Sequence, residues 1–172
     1  MFFKGRYPVL PKVSAITMKK VQIIIDEIEN NPGSFGIWSI IYLQMDSVCF
    51  PDDRWWDASS SVLSMWANCL CGFLCGSADK TELLFMDGSY GMVLKNNGKH
   101  EAAATLTKSD KAASGEFSMD VLYFVRQVLA ASEKIIKSYT AAGQVLPVQE
   151  LIRSCEKLRM VYKNTIKQGK VP

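Results

Sequence analysis

Four carboxylates, Asp46, Asp52, Asp53 and Asp57, fall within residues 46–57 together with Arg54, Trp55 and Trp56. Two carboxylates held close can divide acid and base roles in hydrolysis, and a cluster of them can hold Mg²⁺ through oxygen ligands. Most of these acids also have an ordinary account: Arg54 offsets one charge, residues 49–54 read as a turn around Pro51, and Asp57 can cap a helix. His100 is the single histidine of the chain. A general base needs a nucleophile or carboxylate within hydrogen-bond reach, and no neighbour in sequence supplies one, so His100 reads as an exposed loop residue. Cys69, Cys71 and Cys75 are thiols that could ligate zinc, but they sit in an apolar run without paired Cys-x-x-Cys or histidine spacing, and they read as small buried hydrophobes. No catalytic, cofactor-binding or metal-ligating set is therefore assigned.

The same segment supports a different chemistry. Four acids against one base make residues 46–57 locally negative by three charges, interleaved with Phe50, Trp55 and Trp56. Aromatic anchors beside charge are what strong protein interfaces use. Asp46, Asp52, Asp53, Arg54, Trp55 and Asp57 are the expected partner-binding residues, with Trp55 the anchor where Trp56 is the ring in the core; core packing of at least one of the two tryptophans is the competing reading.

Composition narrows the setting. With 172 residues, 48% of them hydrophobic, the chain can fill one core and is expected to form a single domain. A net charge of +3 is too small for a nucleic-acid binder that neutralises many phosphates. Residues 145–172 nevertheless hold six Lys or Arg against two Glu. Arg153, Lys157, Arg159, Lys163 and Lys167 lie opposite an apolar stripe and read as a solvated helix face rather than a nucleic-acid or membrane site. The five cysteines are an odd number and are expected as free thiols. Residues 1–8 lack the apolar stretch of a signal peptide, and residues 62–75 are too short and too polar to span a bilayer, so a reducing cytoplasm is expected.

Five helices should position these groups. Ser14 can cap a first helix carrying Val21, Ile24, Ile25 and Ile28, ended by Asn30-Asn31-Pro32-Gly33, and residues 35–48 form a second through Ile37, Ile40, Ile41 and Met45. Asp57 or Ser59 caps a third, with Val62, Leu63, Trp66, Leu70, Phe73 and Leu74 inward, stopped near Gly76. Residues 82–86 and 90–94 flank Asp87-Gly88, a hairpin signal because the turn needs positive φ. Residues 102–107 are the candidate for a third strand, within residues 96–117 that otherwise read as a flexible connection. Ser118 opens a fourth helix ended near Gly143, and Pro147 begins a fifth that pairs antiparallel with it. The expected fold is α+β but mainly α, with a small antiparallel hairpin or three-stranded sheet in mid-chain.

Trp56-Asp57 leading into an apolar helix with Trp66, the Leu84-Phe-Met-Asp-Gly-Ser-Tyr90 hairpin and the paired C-terminal helices together resemble the immunity proteins of bacterial polymorphic toxins, including those of contact-dependent growth inhibition systems. The resemblance spans roughly residues 35–140. It implies a protein that binds one cognate toxin domain, often a nuclease, and occludes its active site, as a monomer or homodimer and without a cofactor. Many such proteins are acidic overall whereas this chain is slightly basic, so the local charge of residues 46–57 would have to face the partner. Two other readings remain: a small enzyme using Asp52, Asp53, Asp57 and His100, and a chaperone or adaptor that binds an extended segment of a secreted effector.

Overall fold

Burial in the first part of the chain follows a period of two. In the computed structural model, which describes residues 17–29 and 36–168, Val21, Ile23 and Ile25 point into the core while Gln22 and Asp26 are exposed. This is strand β1 (Gln22–Asp26), followed by β2 (Ser39–Met45), whose Ile41, Leu43 and Met45 join the core. The two helices expected before residue 48 are therefore strands where the chain is described. Ser14 and Asn30 to Gly33 lie outside the described residues. An isoleucine-rich run satisfies helical and strand spacing at once, and β-branched and aromatic side chains pack best on a pleated surface. β2 is the central strand of its sheet. It pairs antiparallel with β1 on one side, and on the other with β3 (Val48–Phe50) and β4 (Trp56–Asp57).

A second antiparallel sheet follows helix α1 (Ser59–Leu74). Its strands are β5 (Lys80–Leu84), β6 (Tyr90–Asn96), β7 (Glu101–Lys108), β8 (Lys111–Ala112) and β9 (Phe117–Asp120), with β8 and β9 both on the far side of β7. The β5–β6 hairpin and the strand expected at 102–107 are present. Residues 96–117, otherwise expected as a flexible connection, also contain β8, and Ser118 lies in β9 rather than at a helix start. Asp120 performs the capping, accepting the Tyr123 amide at 2.9 Å to begin α2 (Val121–Ala141). Met18 bridges Ser118 in parallel, with Lys19 N–H donating to the Ser118 carbonyl at 2.8 Å, so the segment entering β1 extends the edge of the second sheet.

Pro147 falls in one turn of 3₁₀ helix (Leu146–Val148) that leads into α3 (Gln149–Gln168). α3 packs on α1 and α2, and an Asn68 Nδ2 to Ser154 Oγ bond of 3.2 Å crosses the α1–α3 seam. Residues of both sheets and all three helices form one buried cluster around Trp66, Phe124, Leu83, Met92 and Leu43. Among the described residues the fold is thus α+β with three α-helices and two antiparallel sheets of four and five strands, which corrects the mainly helical, five-helix expectation. All five cysteines are free, and burial pushes the Cys71 and Cys155 thiols up.

Gly88 has φ of +67°, and a Cβ there would stand 2.9 Å from the Tyr90 ring and 3.3 Å from Trp55. Gly88→Val should therefore cost about 1 kcal/mol or more through backbone strain alone, before the clash is added. Thermal unfolding of the purified variant checks this, and an unchanged midpoint would contradict the turn geometry.

Candidate partner-binding surface

Residues 46–57 do not act as one surface, because the strand they enter divides their side chains. Asp57, at the end of β4, is fully buried opposite Ser39. Its carboxylate accepts the Ala58 amide at 2.7 Å, the Met86 amide at 2.9 Å, the Asp87 amide at 3.1 Å and the Trp55 indole N–H at 3.4 Å. Burial raises the Asp57 carboxyl above its ordinary range, and the bonds from Asp87, Ala58, Trp55 and Met86 pull against that shift. This acid neither caps α1 nor faces a partner. α1 begins after Ala58 without a side-chain cap, and the Ser59 hydroxyl donates to the Ile37 carbonyl at 3.0 Å. What Asp57 does is fasten the first sheet to the turn between β5 and β6.

Trp55 is likewise structural. Its ring meets Tyr90 edge-on at 5.0 Å, Tyr90 meets Phe50 at 5.7 Å, Phe50 meets Phe85 at 6.3 Å, and Phe85 meets the buried Trp66 at 5.2 Å. The Trp66 indole donates to the Leu84 carbonyl at 2.7 Å. An aromatic path thus runs from the surface to the centre of the core. The roles expected for the tandem tryptophans are exchanged, since Trp55 packs against the core and Trp56 does not belong to it.

Strand alternation puts Trp56 on the other face of the first sheet. The register pairs Ile24 with Tyr42, Ile40 with Trp56 and Gln44 with Cys49, so these side chains share that outer face, with Trp38 continuing it two residues before Ile40. The core residues of β1 and β2 meet the helices on the inner face. Ile24, Trp38, Tyr42, Cys49 and Trp56 are all partly exposed.

Acids surround this aromatic patch. Asp26, Glu27, Glu29, Asp46, Asp52 and Asp53 are exposed along this sheet; Arg54 forms an ion pair with Glu27 at 2.6 Å, exposed Lys20 precedes β1, and Lys134 of α2 donates to the Ile25 carbonyl beside Asp26. Hydrogen bonding to Glu27, and then its charge, raises the Arg54 guanidinium, with Asp53 and Asp26 adding to the shift. Burial and the neighbouring Cys49, Asp53 and Asp26 raise the Tyr42 phenol, which brings these residues within electrostatic reach of one another. Asp52 is held low, first by its hydrogen bond with the Asp53 side chain and then by the Arg54 amide. Of the expected residues, Asp46, Asp52, Asp53 and Arg54 lie around this surface. Trp38, Tyr42, Trp56, Asp26 and Glu27 were missed. Period two over residues 38–44 would have put Trp38 and Tyr42 on one face.

Two residues of the acid-base alternative, Asp57 and His100, are not neighbours. Asp57 belongs to the hairpin end of β6, whereas His100 lies past the other end, and a strand of seven residues separates the two by about 20 Å. His100 instead lines a cleft of about 280 Å³ with Lys99, Glu101 and Phe73. Among the described residues no three His, Cys, Asp or Glu side chains gather as a metal site, and no helix is long and apolar enough to cross a membrane.

The chain matches no protein-family model, no curated protein and no solved structure. What the surface can do follows from its own chemistry.

Asp57→Asn would turn an amide NH₂ toward backbone N–H groups in a buried site, leaving at least one donor unsatisfied. We expect a loss of about 2 kcal/mol or more in urea unfolding. A variant as stable as the wild type would show that the carboxylate does not hold the turn.

Proposed function

We propose that the protein works by binding, docking a basic partner protein on the outer face of its first sheet, and that this partner is a toxin domain whose active-site cleft the face occludes. The observation that carries the reading is the excess of exposed acids, Asp26, Glu27, Glu29, Asp46, Asp52 and Asp53, along the sheet whose outer face, opposite the one that meets the helices, carries Trp38, Tyr42 and Trp56. Aromatic rings with exposed area are suited to act as anchors, and the surrounding acids steer a basic partner and reject acidic ones. The identity of the partner as a toxin rests on the resemblance to immunity proteins. Neither docking nor occlusion needs a cofactor.

Charge and anchor separate in kinetics. Reversing Asp52 and Asp53 to Lys should slow association with the toxin domain and flatten its salt dependence, whereas Trp56→Ala should leave association nearly unchanged and raise dissociation about tenfold or more. Trp55→Ala should act differently, lowering thermal stability because its ring packs on Tyr90. Cells producing the toxin domain encoded beside this chain are scored for growth with each variant, and circular dichroism confirms folding. Full protection by the folded double-Lys variant would remove this face as the binding site.

A further inference from the structure

Beside Trp38 the proposed docking face runs into a cleft of about 260 Å³ lined by Trp38, Ala58, Met86 and Asp87. We infer that this cleft receives one arginine side chain of the basic partner, its guanidinium against the Trp38 ring and paired with Asp87, its alkyl stem along Met86. The inference rests on the docking reading above and names the contact that would make it specific.

Size, chemistry and rigidity point the same way. The volume falls below the roughly 300 Å³ at which pockets for drug-sized ligands begin, which suits a single side chain. A tryptophan face attracts cations more strongly than any other ring, and a planar guanidinium can stack on it while its edge pairs with a carboxylate. The Asp87 carboxylate enters no hydrogen bond or ion pair among the described residues; only its amide is engaged, by Asp57. Met86 is 51% exposed, which is high for an apolar side chain beside a tryptophan. Among the described residues no Lys or Arg lines the cleft. Its wall is also fixed before any partner arrives, because both the Met86 and Asp87 amides are held by the buried Asp57 carboxylate. A contact formed on a preorganised wall loses less to ordering on binding.

Hexa-arginine titrated into ¹⁵N-labelled protein tests the inference, read at the Trp38 indole N–H and the amides of Met86 and Asp87. Saturable shifts at these signals are expected, with hexa-lysine binding more weakly. Asp87→Asn keeps a residue suited to precede Gly88 in the turn, so it should fold, and it should weaken hexa-arginine at least fivefold. Asp110→Asn, at an exposed turn of the second sheet, should leave the affinity unchanged. Unmoved Trp38 and Asp87 signals, or equal losses in Asp87→Asn and Asp110→Asn, would overturn the cleft as an arginine site. Asp53→Asn separates the two levels: sensitivity to Asp53→Asn alone keeps the docking face and removes the cleft, and insensitivity to both removes the face as well.

Discussion

A buried carboxylate surrounded only by N–H donors holds the two sheets of this protein together. Removing Asp57 from water is costly, and burial accordingly outweighs the hydrogen bonds in setting its proton affinity. What the fold gains is a junction in three directions. One oxygen takes the amide that opens α1, the other takes the Met86 amide of the β5–β6 turn, and Trp55 closes the site through its indole N–H. Strand β4 is only two residues long and could not hold that turn by pairing alone. Buried polar groups of this kind give strength only while every partner is in place, so Asp57, Trp55 and residues 86–87 form one unit.

The aromatic path carries that junction inward. Trp55, Tyr90, Phe50, Phe85 and Trp66 meet edge-to-face in succession, the geometry ring quadrupoles prefer; Phe50, Tyr90 and Trp66 come from β3, β6 and α1, with Trp55 just before β4 and Phe85 just after β5. Rigidity of the turn is therefore inherited from the core. That matters for binding, because Trp38 and Met86 can serve as contacts only if the strand and turn beneath them do not have to be ordered on association.

Features set by near neighbours in the chain could be read directly. Asp87-Gly88 announced the hairpin because positive φ is a local requirement, and the periodicity of α1, α2 and α3 persists over enough turns to exclude a strand. The isoleucines at 23–25 and 40–41 could not be assigned in the same way. Their spacing fits both periods, and only pairing of β1 with β2, two segments apart in the sequence, decides between them. The same cause inverted Trp55 and Trp56. Once residues 56–57 pair with β2, adjacent side chains must point to opposite faces, so the acid beside Trp56 goes inward and Trp56 goes outward. Asp57 could be seen as a cap candidate but not as a buried clamp, since its other partners lie 29 and 30 positions away.

Net charge was the least informative quantity. A chain at +3 separates its charge by element, with exposed Arg153, Lys157, Lys163 and Lys167 on α3 and exposed acids around the first sheet. α3 rests on α1 and α2 rather than on that sheet, so the basic helix stands apart from the acidic face. At physiological ionic strength charges separated by more than about 8 Å are largely screened where they are solvent-exposed, and an approaching protein responds to the face it meets rather than to the sum. Such a separation also gives the molecule an electrical direction. On the proposed reading this field would turn a basic partner toward the Trp38 and Trp56 side before contact, so that net charge and local charge need not agree in sign.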